Sequence, residues 1–443
     1  MHDLRKQALL ESGKTVSRKA RSKAGTPASS KNVSPLASRS GSRVASRNAS
    51  DDEGELSDGT QWSATNSIDE MLASPDVESD PFSDTWMAEL HDRIEQICDR
   101  KKSSVQGREE SLNAFSLILM RHYAQSFIRS RTTELIPAII KCVKAGQTER
   151  EVVLALKALA LILITIPDET IYDSAQDIIK NTITDAQHPT AKLAAIRALG
   201  VVTFYGGAST EEVEATMDLL LEIASSDGAL IEEADNADIV TASLEEWGFL
   251  ATQLDDMEQA TEAAMDTFVD QIDSSKASVQ IAAGENIALL YEKSYTELES
   301  DEEPSSDEDD DDEASGPRMI KRYTVYRQKE QLEQSLEDLT KGSSKRVSKK
   351  DRKAIHTAFA DILNTVEKPT RGPRYSTALD EDGREFGSRL KIAIHGGGRM
   401  TIDTWWKLLR LNALKRLLQG GFLEHYEKNE VVFESLPVIV EDD

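Results

Sequence analysis

Only two cysteines, Cys98 and Cys142, occur in 443 residues, and they form no CxxC pair. A disulfide framework is thereby excluded, and a reducing compartment is expected. The seven histidines are scattered, no HExxH occurs and no cysteine has a partner at ligand spacing, so neither a metal site nor a cofactor is expected. Long apolar runs are also missing: the most apolar stretch, residues 158–166, reaches about half the length a bilayer crossing needs. The N-terminus is charged and Ser-rich, without the apolar core of a secretory leader, so a soluble intracellular protein with no membrane contact is expected. Catalytic motifs are absent as well. Gly13-Lys14-Thr15 resembles the end of a phosphate loop, but Ala8 stands where the first glycine belongs. His395-Gly396-Gly397-Gly398 resembles an oxyanion-hole loop, yet no GxSxG nucleophile elbow accompanies it, so it reads as a turn. Carboxylate pairs such as Glu232-Glu233 and Asp255-Asp256 read as solvated helix faces in so acidic a chain. A non-enzyme with no small-molecule substrate is expected.

What the chain has is charge, and the charge lies in blocks. Lys plus Arg total 52 against 79 Asp plus Glu, a net charge of -27, which excludes a uniformly basic protein that coats nucleic acid. Residues 1–50 carry 11 bases against two acids in a Ser-rich stretch that cannot bury enough apolar surface to fold. Residues 51–317 hold 17 bases and 58 acids, residues 318–416 hold 23 and 12, and residues 417–443 hold one and seven. Residues 299–313, ESDEEPSSDEDDDDE, place 11 carboxylates in 15 positions and read as an extended linker. Within it Ser305 and Ser306, followed by a run of acids, are candidate phosphosites for an acid-directed kinase.

Inside the acidic block one pattern recurs five times. Ser111-Leu112-Asn113-Ala114-Phe115 corresponds in character to Ala155-Leu156-Lys157-Ala158-Leu159, Ala195-Ile196-Arg197-Ala198-Leu199, Ser243-Leu244-Glu245-Glu246-Trp247 and Ala283-Gly284-Glu285-Asn286-Ile287. The anchors Phe115, Leu159, Leu199, Trp247 and Ile287 are spaced by 44, 40, 48 and 40 residues, the period of HEAT and armadillo arrays. A helical pair of this kind has two apolar faces, and stacking successive pairs buries both. The expected fold is all-α: an armadillo/HEAT-like α-solenoid over residues 86–295, after a disordered Ser/Arg-rich and then acidic arm (1–85) and before an acidic linker (296–317). A small, mainly helical and basic C-terminal domain (318–437) and an acidic tail (438–443) complete the division.

In the basic region, helices are expected over 323–339 and 351–366, a loop from 369 to about 388, a short strand over 390–394, and a helix from Asp403 as N-cap to Gly420-Gly421. Lys345, Arg346, Lys349, Lys350, Arg352 and Lys353 form a basic run with three open readings: an import-receptor contact, an RNA phosphate contact, or a solvated first helical turn. Tyr323 and Tyr326 interleave with Lys321, Arg322 and Arg327, either as stacking faces beside charges or as packed rings. Trp405-Trp406 with Lys407 and Arg410 reads as core plus rim.

These residues carry a resemblance. Residues 279–292 (VQIAAGENIALLYE), the run Lys349-Lys350-Asp351-Arg352-Lys353 leading to Phe359-Ala360-Asp361-Ile362-Leu363, and residues 400–436 with Ile402-Asp403-Thr404-Trp405 and Gly420-Gly421-Phe422 resemble, in the same order, segments of the interferon-related developmental regulator family. The resemblance implies an armadillo-like domain plus a family C-terminal domain, no catalysis, and work as a transcriptional co-regulator or, in some members, on translationally inactive ribosomes. Protein partners in the solenoid groove, or the ribosome and its RNA through the basic domain, are the two expectations, in cytoplasm and nucleus. The animal members continue into a strongly basic extension, whereas this sequence ends in Val438-Ile439-Val440-Glu441-Asp442-Asp443. A ribosomal contact assigned to such an extension is not expected to carry over.

Overall fold

The computed structural model describes residues 85–99, 103–298, 319–341, 348–379, 383, 385–394, 398–437 and 440–441. The N-terminal arm, most of the acidic linker with Ser305 and Ser306, and Lys345 and Arg346 of the basic run lie outside the described residues. Polar caps open several of the long helices: Ser104 accepts from the Gly107 amide, Thr148 from Glu151 and Asn236 from Asp238 and Ile239, while Ser209 and Glu212 close a reciprocal capping box. Pro189 occupies the first helical position, where its missing N–H has no partner to lose.

The helices are α1 (Thr85–Cys98), α2 (Val105–Arg121), the short α3 (Gln125–Ile128), α4 (Thr132–Lys144), α5 (Glu149–Thr165), α6 (Ile171–Asp185), α7 (Pro189–Tyr205), α8 (Thr210–Ser225), α9 (Ala237–Ala251), α10 (Glu258–Gln271) and α11 (Ala277–Lys293). Two layers result. Helices α2, α5, α7, α9 and α11 carry the five sequence copies and pack side by side in chain order, while α1, α4, α6, α8 and α10 each cover one of them from outside. The inner helices α5, α7, α9 and α11 are buried nearly all round, whereas an outer helix such as α8 buries one stripe, Val213, Met217, Leu220 and Ala224. Phe115, Leu159, Leu199, Trp247 and Ile287 are each at most 2% exposed, one on each inner helix. One turn requires glycine outright: Gly207, at φ 88°, lies so close to Glu169 that a Cβ there would sit 2.1 Å from its carbonyl oxygen.

The array does not stop at the acidic segment. After strands β1 (Tyr295–Glu297) and β2 (Met319–Lys321), which pair antiparallel, α12 (Lys329–Lys341) and α13 (Lys349–Glu367) form a sixth pair, with α13 stacked on α11 as the next inner helix. The expected boundary at 318 therefore does not divide two packing units, and residues 296 and 297 belong to β1 rather than to the linker. Gly284 explains the fit, because a Cβ there would meet Ile362 at 2.7 Å and Phe359 at 3.0 Å. The expected helix over 323–339 starts only at Lys329.

The expected loop from 369 to 388 contains a hairpin, β3 (Tyr375–Leu379) against β4 (Glu385–Ser388), followed by β5 (Leu390–Ile394) and β6 (Gly398–Ile402), with β7 (Val440–Glu441) on the outer edge of β6. Residues 395–397, in the expected turn, lie outside the described residues. The chain closes with α14 (Trp405–Leu418), α15 (Phe422–Lys428) and α16 (Glu430–Ser435). The fold is all-α in character, an α-solenoid whose strands are short and peripheral.

Candidate functional site

The five copies share a feature beyond their anchors: the residue two before each anchor is polar, namely Asn113, Lys157, Arg197, Glu245 and Glu285. On five neighbouring inner helices these side chains form a row, positive at Lys157 and Arg197 and negative at Glu245 and Glu285. Sequence reasoning missed the row, although a polar residue in one register of five apolar copies was its signal. The next position is Ala114, Ala158 and Ala198 in the first three copies but Glu246 and Asn286 in the later two. Room for the larger groups comes from the preceding helix, where Gly200 faces Glu246 and Gly248 faces Asn286. A Cβ on either glycine would lie 2.1 Å from the facing side-chain oxygen.

The inner layer is covered by the chain's own C-terminal helices. α14 packs on α11, α9, α5 and α2, and α16 packs on α5. The contacts fall at the carboxyl ends of successive inner helices. Glu292 of α11 accepts from the amides of Trp405 (2.6 Å) and Trp406 (3.0 Å). Arg410 donates to the Thr252 hydroxyl (2.8 Å) and carbonyl (3.0 Å) beyond α9, and Tyr205 of α7 donates to Ser435 Oγ (2.9 Å). Asn429 donates to the Ile164 carbonyl of α5 (2.8 Å), and His425 Nε2 lies 2.9 Å from the Leu119 carbonyl of α2. Every inner helix from α2 to α11 thus gives an end group to this segment, and at Leu119, Ile164 and Thr252 the contact satisfies a carbonyl that a helix terminus leaves open. Gly421 permits the close approach at α2, since a Cβ there would lie 1.8 Å from the Met120 carbonyl oxygen.

Asp403 is not the N-cap of α14. Thr404 holds that position without a side-chain bond, Asp403 pairs with Lys407 (2.6 Å), and Glu292, 113 residues earlier, caps the helix instead. The first-turn amides face the solenoid, so a carboxylate from α11 is the group that can reach them. Trp405 is buried and its Nε1 donates to Thr365 Oγ1 (2.7 Å); the Arg410 guanidinium lies over Phe204 (5.2 Å) and Trp406 (5.0 Å). Core plus rim describes this pair of tryptophans.

Where α14 crosses α7 and α9, charges are buried together. Arg197 bonds Glu246 (2.8 Å) and Glu245, and Arg416 lies 3.5 Å from Glu245 and 3.4 Å from Glu246. Burial pushes the Glu245 carboxyl up, but Arg197 and Arg416 outweigh it and hold it below the usual carboxylate range. Glu285 has no such surplus of cations: burial first, then the Glu245 charge, push it up to about 8. Burial also raises Glu292, to about 7, and lowers His425 to about 4, so His425 is the neutral imidazole that donates to Leu119. A second buried pair, the bidentate Arg108–Glu151 (2.7 and 3.1 Å), ties α2 to α5. The arrangement is a many-point latch with no nucleophile poised beside a base. Among the described residues no group of three or more His, Cys, Asp or Glu could hold a metal ion, and no helix is long and apolar enough to cross a membrane.

Of the basic run, Lys349, Lys350, Arg352 and Lys353 are exposed on the first turn of α13, which Ser348 caps by accepting from the Asp351 amide (3.1 Å). The structure does not bring them to the latch. Two surfaces are therefore distinct: a polar row under the C-terminal helices, buried at Lys157 and Arg197 and half-buried at Asn113, Glu245 and Glu285, and an exposed basic turn on α13.

These features define a helical-repeat protein whose inner layer is capped in cis. The family model of the interferon-related developmental regulators (IFRD) matches residues 55–367, and the chain belongs to that family. It is 26% identical over 352 residues to an uncharacterized protein of Schizosaccharomyces pombe, covering 79% of this chain and 74% of that one. Interferon-related developmental regulator 2 of Mus musculus is 23% identical over 390 residues, covering 84% and 78%, and interferon-related developmental regulator 1 of Sus scrofa is 25% identical over 356 residues, covering 76% and 70%.

Proposed function

We propose that this regulator-family protein is a non-catalytic scaffold of gene expression, of the transcriptional co-regulator type, that binds protein partners through the outside of its solenoid. The observation that carries this reading is the charge left uncovered there. On α8, Glu211, Glu214, Asp218 and Glu222 are exposed at spacings of 3, 4 and 4; on the neighbouring α10, Glu258, Glu262, Asp266 and Asp270 are exposed at spacings of 4. Neither helix contains a Lys or Arg. Two adjacent ribs of like charge lower the stability of their helices by self-repulsion, and a partner with basic segments relieves it. The partner sits on these outer ribs because the inner face is already filled by α14 to α16.

The exposed first turn of α13 favours a second reading, a factor that acts on translation by contacting ribosomal RNA. Bases at a helix start oppose the macrodipole, so their presence asks for a reason other than helix stability. Sucrose-gradient sedimentation at low and high salt separates the two. A scaffold stays in light fractions, and Glu214→Lys with Asp266→Lys removes its partner. A ribosome-bound factor runs with monosomes at low salt, and reversal of Lys349, Lys350, Arg352 and Lys353 to Glu releases it. Monosome co-sedimentation that survives this reversal rules out RNA contact through α13, and an unchanged partner in the α8/α10 variant rules out the acidic ribs.

A further inference from the structure

A cleft of about 250 Å³ opens where the end of α11, the β1–β2 ribbon and the start of α12 meet, with Pro369 beyond α13 closing one side. Tyr291, Tyr295 and Tyr326 line it together with Lys321, Arg327 and Lys329, and no carboxylate is among its lining residues. In a chain with 79 acids and 52 bases, this is a local inversion of charge. Lys329 is paired with Glu333 at 3.3 Å, whereas Arg327 is exposed and makes no ion pair with a described residue. Tyr291 is only 5% exposed, and its buried hydroxyl has no hydrogen-bond partner. That hydroxyl is closed off from solvent, so the contacts open to a ligand are the partly exposed rings of Tyr295 and Tyr326 and the Arg327 guanidinium.

We propose that this cleft binds one unpaired nucleotide, its base against the rings of Tyr295 and Tyr326 and its phosphate held by Arg327 and Lys321. Flat aromatic faces give stacking that tolerates any base, and the two cations supply the phosphate contact. The site is separate from the basic turn of α13: Pro369 follows the carboxyl end of that helix, whose 19 residues put Lys349 about 28 Å away. The nucleotide can be free or part of a single strand of RNA; the chemistry recognised is the same.

The test is equilibrium dialysis of the full chain against labelled UMP and a labelled ten-nucleotide uridine strand, each across a salt series. Arg327→Ala, a change at an exposed residue, should weaken both ligands about tenfold and flatten the strand's log–log salt slope by about 0.7. Tyr326→Leu should weaken both about tenfold while Tyr326→Phe keeps the affinity, with melting temperatures recorded for each. Reversal of Lys349, Lys350, Arg352 and Lys353 should leave UMP affinity unchanged. A strand bound no more tightly than UMP identifies a free nucleotide as the source; a strand bound 100-fold more tightly identifies RNA. The proposal fails if neither ligand binds at millimolar concentration, or if Arg327→Ala leaves both affinities unchanged. It fails equally if a phosphotyrosine peptide binds more tightly than UMP with the same sensitivity to Arg327→Ala.

Discussion

The two faces of the solenoid treat charge in opposite ways. On the inner layer, Arg197, Glu245, Glu246 and Arg416 are brought together until opposite signs meet, and every inner helix from α2 to α11 gives a terminal group to the segment that covers it. On the outer layer, eight carboxylates of α8 and α10 stand in water with no base on either helix. The difference teaches that net charge says little about where this protein is held together. Buried charges are costly unless paired, so they occur where geometry pairs them; exposed ones are screened and cost little, so they are free to serve recognition.

The comparison breaks most completely if the shared core is cut. Trp247, packed edge-on against Phe268 of α10 at 4.8 Å, belongs to both layers, and Trp247→Ala should destabilise by about 3–5 kcal/mol and Leu199→Ala by about 2–5 kcal/mol in chemical denaturation. Next is the latch. Arg416→Ala removes the cation from α14 and should cost roughly 3 kcal/mol, because buried Glu246 and half-buried Glu245 are left with Arg197 as their shared cation. If its denaturation midpoint matches the unmodified chain, the inner charges are solvated and the contrast between faces is wrong.

The pH dependence sharpens the contrast at smaller amplitude. Glu285 and Glu292 hold protons in the folded state up to about 8 and about 7, above the ordinary value of 4.5, so the unfolded chain binds fewer protons and stability falls as pH rises through that window. His425, lowered from 6.5 to about 4, acts the other way, losing stability as pH falls between those values. Of these three groups the two carboxylates act between pH 6.5 and 8, and melting temperature should decline there. Glu285→Gln should flatten the decline and raise the melting temperature at pH 8.5 by about 3 °C or more. The smallest effect belongs to the outer face: Glu262→Gln with Asp266→Gln should change stability by less than about 0.5 kcal/mol, while its salt dependence alters measurably.

The repeat was legible because its cause is local. An anchor such as Leu199 must be apolar, and its neighbours Ala195 and Ala198 small, wherever one helix stacks between two others, so the pattern recurs every 40 to 48 residues. The polar row was written in the same five copies, at Asn113, Lys157, Arg197, Glu245 and Glu285, but residue type alone does not tell a solvated position from a buried one. Asp403 shows the opposite failure: its sequence context is that of a cap, yet a group from α11 took the role. The hairpin at 375–388 is not legible in the sequence because its strands are short, partly exposed and irregular in register, and so lack a clean alternation.

Family, helical class, repeat period and segregation of charge were determined by the sequence alone, since each depends on composition or on residues within one or two helical turns. Only the tertiary structure decided that the array gains a sixth pair beyond the acidic segment, that α14 to α16 fill the inner face, and that Glu292 caps Trp405. Those contacts join residues 75 or more positions apart, and no local pattern encodes which of many equally polar end groups will meet once the helices are stacked.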